Sequence, residues 1–327
     1  MYARADGRST SISGLRGKTL EWQAMPGLER IAIVGLGLVG GSLALALRRA
    51  RPEFRLLGVD PDAKTRELAL DERAVDHAVT LEDAALANCD LVVLCTPAQP
   101  LLEILQEVVS RMRPGALLTD VCGAKERICA EGAAQDRVVF IGGHPMAGTE
   151  FRGFVAANPA LFAGCTVALC PPVGAADPAA RREAIRRVRE LWTAAGAGKL
   201  LDVEPDAHDR AVTVASHLPY LAAAAVAQTL IESGPDAELA RELAAGGFRD
   251  TTRLAGDGTV SGAAALNRFV PGAARSLADR LRALAQELEQ HPDAALRQLA
   301  AVADERRRMR LPAPSAAPAK SRTHLKP

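Results

Sequence analysis

Aromatic residues are scarce in this sequence, at 3% of the chain, although 48% of the residues are hydrophobic. The core must therefore be built mainly from Ala, Leu and Val, within an otherwise ordinary globular composition. An excess of charge is also lacking, because 40 Lys and Arg face 39 Asp and Glu, for a net charge of +1. Without an electrostatic bias, we expect neither a nucleic-acid partner nor a membrane partner.

The six cysteines form no Cys-x-x-Cys pair, and no His/Cys cluster has the spacing of a zinc site. Several lie inside apolar runs, where a free thiol packs as a small hydrophobic group. We therefore expect a reduced, cytoplasmic protein with no metal. No uninterrupted apolar run reaches the length of a membrane span, and residues 1–28 lack the apolar stretch of a secretory signal.

The chain length predicts two domains. Residues 29–173 alternate short apolar runs with helical patterns, which predicts the α/β class with an N-terminal Rossmann doubly wound parallel sheet. Residues 174–310 are rich in Ala and Leu with helical periodicity, which predicts an all-helical C-terminal domain. A leader at 1–28 and a tail at 311–327 are expected to be disordered.

The predicted strands are continuous apolar runs, as expected when helices cover both faces of a parallel sheet. They lie at residues 30–35, 55–60, 90–95, 116–120 and 137–141, with 166–170 as a candidate for a last strand.

A glycine-rich segment, Gly35-x-Gly37-Leu38-Val39-Gly40, follows the first predicted strand and opens a helix. The G-x-G-x-x-G pattern is weak by itself, but this strand and helix are the context it requires. Gly35 permits the tight turn, Gly37 lets the backbone approach a pyrophosphate, and Gly40 lets the helix pack closely on the strand. The N–H groups of Leu38 and Val39 would face the phosphates. The alternative is a glycine turn without a ligand.

Asp60 lies 20 residues after Gly40, at the end of the second predicted strand. Its carboxylate can accept hydrogen bonds from both hydroxyls of the adenosine ribose and would repel a 2′-phosphate, which favours NAD over NADP. Thr96 and Pro97 follow the third predicted strand, at the sheet edge where a cofactor binds. The alternatives are that Asp60 only caps a helix and that Thr96-Pro97 is an ordinary turn.

Two histidines stand in unusual contexts. His144 lies between glycines and a proline in Gly142-Gly-His-Pro-Met-Ala-Gly-Thr149, directly after a predicted strand. A neutral imidazole there could accept the proton of a carbinol as hydride leaves, or it could merely bond the backbone of a turn. His217 and Ser216 interrupt an apolar run, and Pro219 predicts a helix kink. This polar spot suggests a cavity, although a buried, hydrogen-bonded histidine is the alternative.

Arginines follow the Gly246-Gly247 pair. Arg253, with Arg249 and Asp250 nearby, could bind a substrate carboxylate. The alternative is a solvated helix face with weak ion pairs. Histidines 77, 208, 291 and 324 show no constellation and are expected to be structural or exposed.

With these motifs in view, the sequence resembles the prephenate/arogenate dehydrogenase family of tyrosine biosynthesis over roughly residues 30–309. The resemblance rests on Gly35-x-Gly-x-x-Gly40, Thr119-Asp-Val121 with Lys125, Gly143-His-Pro-Met-Ala-Gly148 with Glu150, His208-Asp209, Ser216-His-Leu-Pro219 and Gly247-Phe-Arg-Asp-x-x-Arg253.

This resemblance implies NAD-dependent oxidative decarboxylation of prephenate to 4-hydroxyphenylpyruvate, or of arogenate to tyrosine, in a homodimer joined through the helical domain. It implies that His144 is the catalytic base and that His217 is a second histidine of the site. For the substrate it implies an anchoring arginine at Arg253 and a gating acid at Glu150. The remaining candidates for substrate binding are Thr149, Tyr220 and Lys125.

The sequence departs from the family pattern at two positions. Gly123 stands two residues before Lys125, where the family often has a serine that assists the histidine or the nicotinamide. Tyr220 stands where many prephenate-specific members have histidine, which leaves prephenate and arogenate both open. We expect no regulation through a fused domain. Two other readings stay open: another Rossmann-plus-helical hydroxyacid dehydrogenase, and a non-catalytic NAD-binding sensor.

Overall fold

A computed structural model describes residues 30–149, 151–171, 178–256 and 259–311. The predicted disordered leader, residues 312–327 of the predicted tail and Glu150 lie outside the described residues.

The described residues include one sheet of eight strands, which lie in the order β3-β2-β1-β4-β5-β6-β7-β8. Neighbouring strands are parallel except for the antiparallel pair β6 and β7. The strands are β1 (Arg30–Val34), β2 (Arg55–Val59), β3 (His77–Val79), β4 (Leu91–Leu94), β5 (Leu117–Asp120), β6 (Val139–Pro145), β7 (Thr166–Cys170) and β8 (Lys199–Asp202). The first six strands have the order of a dinucleotide-binding Rossmann sheet, which confirms the predicted fold class.

Helices connect the strands and then continue alone. Those between strands are α1 (Leu38–Ala50), α2 (Ala63–Asp71), α3 (Ala98–Arg111), α4 (Glu126–Ala133) and α5 (Pro178–Ala194). Those after the sheet are α6 (Pro205–Val212), α7 (Leu218–Ile231), α8 (Ala237–Leu243), α9 (Gly246–Thr252), α10 (Thr259–Leu266), α11 (Val270–Gln290) and α12 (Pro292–Arg308).

The sheet is buried on both faces, which explains its continuous apolar strands. Along β1, Ile31 and Ile33 belong to the core on one face, together with Trp192 of α5. Ala32 and Val34 point to the other face, where the core includes residues of α3 and α4. Each fully buried large aliphatic side chain contributes about 1.5–3 kcal/mol relative to exposure. The central strands therefore form a rigid base for the loops at their carboxyl ends.

The sheet differs from the prediction in three respects. The short strand β3 was missed, and β6 runs through His144 to Pro145 rather than stopping at residue 141. The region 174–310 is not all-helical, because β8 pairs in parallel with β7. β8 has only four residues and is largely exposed, so it lacks the apolar run that marks the other strands. We therefore propose that the first domain extends past residue 173 and ends after β8, near residue 203.

One long helix, Pro205–Ile231, joins α6 and α7 through a π segment, Thr213–His217. The Leu218 N–H donates to the Thr213 carbonyl, five residues earlier. The π segment ends two residues before Pro219, which has no N–H to donate to a normal helical hydrogen bond. At the place where a kink was predicted, the helix therefore contains a π segment. Contrary to the sequence expectation, this helix is long and apolar enough to cross a membrane by length and composition. A single such helix is weak evidence for a membrane span, and the first turns of this one carry the charged residues Asp206, Asp209 and Arg210.

Candidate active site

A crevice for a dinucleotide lies between the carboxyl ends of β1 and β4, where the strand order reverses. Gly35 has a φ of +94°, and a Cβ there would lie 2.9 Å from the Cys95 carbonyl carbon. A Cβ on Gly40 would lie 1.9 Å from the Gly35 carbonyl oxygen. By contrast, nothing lies within 4 Å of a Cβ built on Gly37. The first and third glycines thus allow close packing, and the second faces open space.

Polar groups suited to a dinucleotide surround this crevice. The α1 helix has no side-chain cap at Gly37, so the N–H groups of its first turn, which includes Leu38 and Val39, are free to bind phosphate. The Thr96 hydroxyl oxygen, just before Pro97 and α3, is buried without a hydrogen-bond partner in the described part of the chain. An unpartnered buried hydroxyl beside the glycine loop fits a polar ligand.

Asp60 lies at the end of β2, beside the glycine loop. Its Oδ2 accepts from the Leu36 N–H at 2.8 Å, and its Oδ1 accepts from the Asp62 N–H at 3.0 Å. Each carboxylate oxygen keeps lone-pair capacity for a ribose hydroxyl. Arg66 donates to the carbonyl oxygens of Asp60 and Pro61 at 2.7 and 2.9 Å, and so supports the loop backbone. These residues fit NAD.

A buried ion pair fixes the strand ends next to His144. Lys125 is 0% exposed, and its ammonium forms an ion pair with Asp120 and donates to the Gly143 carbonyl at 2.7 Å. The other Asp120 oxygen accepts from the Gly143 N–H at 3.0 Å. Burial alone would lower the pKa of Lys125, but the Asp120 carboxylate together with the nearby Cys129 and Cys122 outweighs burial, and the pKa is raised. This ammonium is therefore buried, and its bonding partners lie on the two strand ends next to His144.

His144 belongs to a chain of three side chains that joins the two domains. Its Nδ1 lies 2.9 Å from Nε2 of His208 in α6. Nδ1 of His208 lies 2.8 Å from the Asp209 carboxylate. Asp209 also accepts from the backbone N–H groups of Lys125 and Glu126, at 2.8 and 3.0 Å.

This chain determines which nitrogen of His144 has the proton. The pKa of Asp209 is lowered, because hydrogen bonds from His208 and from two backbone N–H groups outweigh the effect of burial. A carboxylate only accepts, so His208 donates from Nδ1 and accepts at Nε2. His144 therefore donates from Nδ1, and its Nε2 keeps a lone pair. Burial, with the nearby His208, Lys125 and His217, holds the pKa of His144 well below its usual value, so the ring is neutral. Neutral Nε2 can act as a base.

The space beside Nε2 of His144 is bounded by Gly123. A Cβ built on Gly123 would lie 3.4 Å from Nε2 and 3.2 Å from Cβ of Ala263 in α10. A side chain at position 123 would therefore contact the ring of His144 beside Nε2, and Gly123 leaves that side of the ring without one.

His217 lies at the end of the π segment and is buried. Its Nδ1 is 3.2 Å from the amide nitrogen of Asn267, which also lies 2.9 Å from the Asp209 carbonyl oxygen. Burial lowers the pKa of His217, and Asp209 partly offsets this effect. Both histidines predicted from sequence thus belong to one cluster, together with His208.

The other predicted residues are less enclosed. Thr149 is half-buried and accepts from the Phe151 N–H at 3.3 Å, and Tyr220 is half-buried on α7. Arg253 is exposed in the 3-10 turn after α9 and has no hydrogen bond or ion pair to the cluster within the described ranges. Glu150 lies outside the described residues.

His208 and Asn267 were missed as site residues by reasoning from residue patterns. His208 sits at an ordinary position of an amphipathic helix, where the expected role was structural. The one local signal for the hydrogen-bonded chain Asp209–His208–His144 was the adjacent Asp209, a carboxylate next to a histidine at the start of the domain. Asn267 has no local motif, because its partners are 50 and 58 residues away along the chain.

Comparison with known families gives two adjoining matches. Residues 43–200 match the family model described as prephenate dehydrogenase, nucleotide-binding domain. Residues 204–266 match the model described as prephenate dehydrogenase, dimerization domain. The first match ends within β8, and the second begins two residues after that strand.

Similar proteins include two curated prephenate dehydrogenases. The chain is 31% identical to that of Bacillus subtilis over 69% of its own length and 60% of the relative, and 33% identical to that of Lactococcus lactis over 70% and 61%. It therefore spans about three fifths of these relatives.

Two solved structures are also similar. The arogenate dehydrogenase of Synechocystis has a TM-score of 0.68 at 33% identity, with 85% of this chain and 99% of that chain covered. The prephenate dehydrogenase of A. aeolicus, in complex with hydroxyphenyl propionate and NAD⁺, has a TM-score of 0.78 at 26% identity, with 88% and 99% covered.

Proposed function

The chain belongs to the prephenate dehydrogenase family, and from that premise we propose that it catalyses NAD-dependent oxidative decarboxylation of prephenate to 4-hydroxyphenylpyruvate in tyrosine biosynthesis. The observation on which this depends is the chain of hydrogen bonds Asp209–His208–His144, which leaves a lone pair on Nε2 of His144 at the carboxyl end of the sheet.

The role of His144 is to take the proton from the ring hydroxyl of the substrate. Bound NAD⁺ would supply the acceptor for the hydride that leaves the carbinol carbon. The bond from the ring to its carboxylate then breaks, CO₂ leaves, and the electron pair completes the aromatic ring. Because aromatisation is strongly downhill, the protein only has to orient the carbinol, remove one proton and bind the anionic groups.

Substrate binding is proposed for His217, Arg253, Thr149, Tyr220 and Glu150. The place of His217 in the cluster supports this role. For Arg253 the support is its exposed guanidinium, which bonds no residue of the cluster within the described ranges and is suited to binding a carboxylate in bidentate geometry. Lys125 is instead proposed to hold β5 and β6 together beneath His144.

Arogenate is the second candidate substrate, and the chain could also act on both. Two observations favour keeping it: Tyr220 departs from the histidine of prephenate-specific members, and the Synechocystis arogenate dehydrogenase is 33% identical. Arogenate differs from prephenate in having an amino group on its side chain. The two substrates therefore undergo the same reaction at the ring but require different binding of the side chain.

The experiment that tests the proposal is NADH formation, followed by absorbance, on mixing the protein with NAD⁺ and either substrate. We expect turnover, and the ratio of kcat/KM for prephenate and arogenate identifies the preference. The matched control is His144→Asn, which should bind NAD⁺ like the wild type but lose kcat by about 10²–10⁴-fold. Tight NAD⁺ binding without turnover of either substrate would instead support a sensor, and turnover of a simple hydroxyacid alone would support another dehydrogenase.

We further propose a cytoplasmic homodimer joined through the helical domain. Support comes from the match of residues 204–266 to a dimerization domain and from large apolar side chains exposed on the helices of a single chain. The six cysteines are all free, as expected for a reducing compartment.

A further inference from the structure

Asn267, between α10 and α11, is a buried amide that contacts both halves of the long helix. It is only 1% exposed. Its Nδ2 lies 2.9 Å from the Asp209 carbonyl oxygen, 3.0 Å from the Thr213 hydroxyl and 3.2 Å from Nδ1 of His217. One amide group thus joins α6, the π segment and the histidine at its end.

The orientation of this amide is fixed because one partner can only donate a hydrogen bond and another can only accept one. Its Oδ1 accepts from the Phe269 N–H at 3.0 Å, and its Nδ2 faces the Asp209 carbonyl, which can only accept. A flipped amide would set two oxygens against each other and two N–H groups against each other. The NH₂ group therefore faces Nδ1 of His217, which must be the acceptor. In the neutral ring the proton is then on Nε2.

The π segment directs His217 toward this amide. His217 and Asp209 are eight residues apart, which in an unbroken α-helix would separate them by about 80° around the axis. The wider winding of residues 213–217 reduces that angle, so the Asp209 carbonyl and the His217 ring meet the same amide nitrogen. No described residue bonds Nε2 of His217, and Nε2 is not among the enclosed, unpartnered atoms of the described residues.

We propose that Asn267 is a positioning residue that holds His217 as a neutral Nε2–H donor for an anionic oxygen of the substrate, such as a carboxylate. This inference rests on the proposed function for its substrate, but the tautomer itself follows from the hydrogen bonds alone. A neutral ring with its proton on Nδ1 would instead present a lone pair to the carboxylate and repel it.

The charged groups around His217 are consistent with a neutral ring. α10 contributes no titratable side chain, and the guanidinium of Arg268 is engaged with Glu126 and Asp206. The titratable groups that interact with His217 are Asp209 and His208 of α6 and His144 of β6. The tautomer therefore decides whether the ring donates or accepts.

The first test is the tautomer, measured by long-range ¹H–¹⁵N NMR of histidine-labelled protein, with His217→Gln used to assign the signal. We expect the Nε2–H form in the wild type, and the Nδ1–H form would overturn the proposal. Asn267→Asp, nearly isosteric, should move the proton to Nδ1 and raise the pKa of His217. The control Thr213→Val removes another bond of the same amide and should lower stability while leaving the tautomer unchanged.

The second test is kinetic and separates positioning from general loosening of the structure. In Asn267→Asp, KM for the substrate should rise about tenfold at alkaline pH, because Nε2 no longer donates. At acid pH the doubly protonated ring donates again, so KM should return toward the wild-type value, with kcat changed less. Equal losses of kcat at both pH values would overturn the proposal. Should Asn267→Asp fail to fold, the wild-type tautomer remains decisive, and absence of wild-type turnover would overturn the proposed function without affecting the tautomer.

Discussion

At the scale of single residues, the lone pair on Nε2 of His144 depends on the carboxylate of Asp209, which bonds His208 and not His144 itself. In Asp209→Asn, the new amide can donate to Nδ1 of His208, which would place the proton of that ring on Nε2. His144 would then accept at Nδ1 and hold its own proton on Nε2, where the substrate hydroxyl needs a base. We expect kcat to fall by roughly 10²–10⁴-fold with KM for NAD⁺ nearly unchanged, measured by steady-state kinetics. Turnover close to that of the wild type would show that Asp209 does not determine the tautomer of His144.

The lowered pKa of His144 predicts a flat pH profile over the neutral range. The base is active when neutral, so kcat/KM should decrease only below about pH 6.5.

The lowered pKa of His144 also affects the stability of the fold. The unfolded histidine binds a proton that the folded one does not, so the free energy of unfolding should fall as pH drops below the unfolded pKa toward the folded one. An acid limb of kcat/KM above pH 7 that disappears in a His144 variant would contradict this assignment.

The sequence revealed those site residues whose local context is unusual. His144 stands among glycines and proline, and His217 interrupts an apolar helix, so both were predicted to matter. His208 and Asn267 were not, because their roles come from hydrogen bonds to residues distant in the chain. The tautomer of a histidine is determined by hydrogen-bond partners that lie far away in the sequence, so the pattern of residue types does not predict it.

At the scale of elements, the glycine loop allows packing and ligand binding to be separated by two matched substitutions. A Cβ on Gly40 would collide with the Gly35 carbonyl, whereas a Cβ on Gly37 meets nothing within 4 Å. We expect Gly40→Ala to lower the free energy of unfolding by about 1–3 kcal/mol, as overpacking does. Gly37→Ala should keep the wild-type Tm but weaken NAD⁺ binding, because the methyl group occupies the side open to the pyrophosphate. Calorimetry and NAD⁺ titration measure the two effects, and similar NAD⁺ affinity in Gly37→Ala would show that the cofactor lies elsewhere.

Element prediction succeeded where burial dictated the residue pattern. β1, β2, β4, β5 and β7 were found near their predicted positions, because strands covered on both faces must be apolar throughout. β3 and β8 were missed because they are short edge strands with exposed residues. The end of β6 was placed too early, since Gly142-Gly-His-Pro suggests a turn, whereas pairing with β7 keeps the segment extended through His144.

At the scale of the whole molecule, the site depends on contact between the domains. His144 comes from the sheet and His208 from the helical region, so their hydrogen bond forms only when both domains pack together. Arg268 reinforces this contact, with ion pairs to Glu126 of α4 and Asp206 of α6. These ion pairs are largely exposed and are worth little individually, so the buried bonds of Asp209 to the backbone of residues 125 and 126 hold the domains in register.

The helical domain leaves large apolar side chains exposed in a single chain, which predicts that a second copy covers them. Ile231, at the end of α7, is 67% exposed, and Leu239 and Leu243 of α8 are exposed nearby in sequence. Exposed large apolar side chains on the predicted dimerisation domain are candidates for an association surface. Ile231→Glu would bury a charge in the interface and should convert the dimer to monomers, measured by light scattering after size exclusion. The control Leu70→Glu changes a 41% exposed leucine on α2 of the sheet domain and should leave the dimer intact. A dimer that survives Ile231→Glu but dissociates with Leu70→Glu would place the interface on the sheet domain instead.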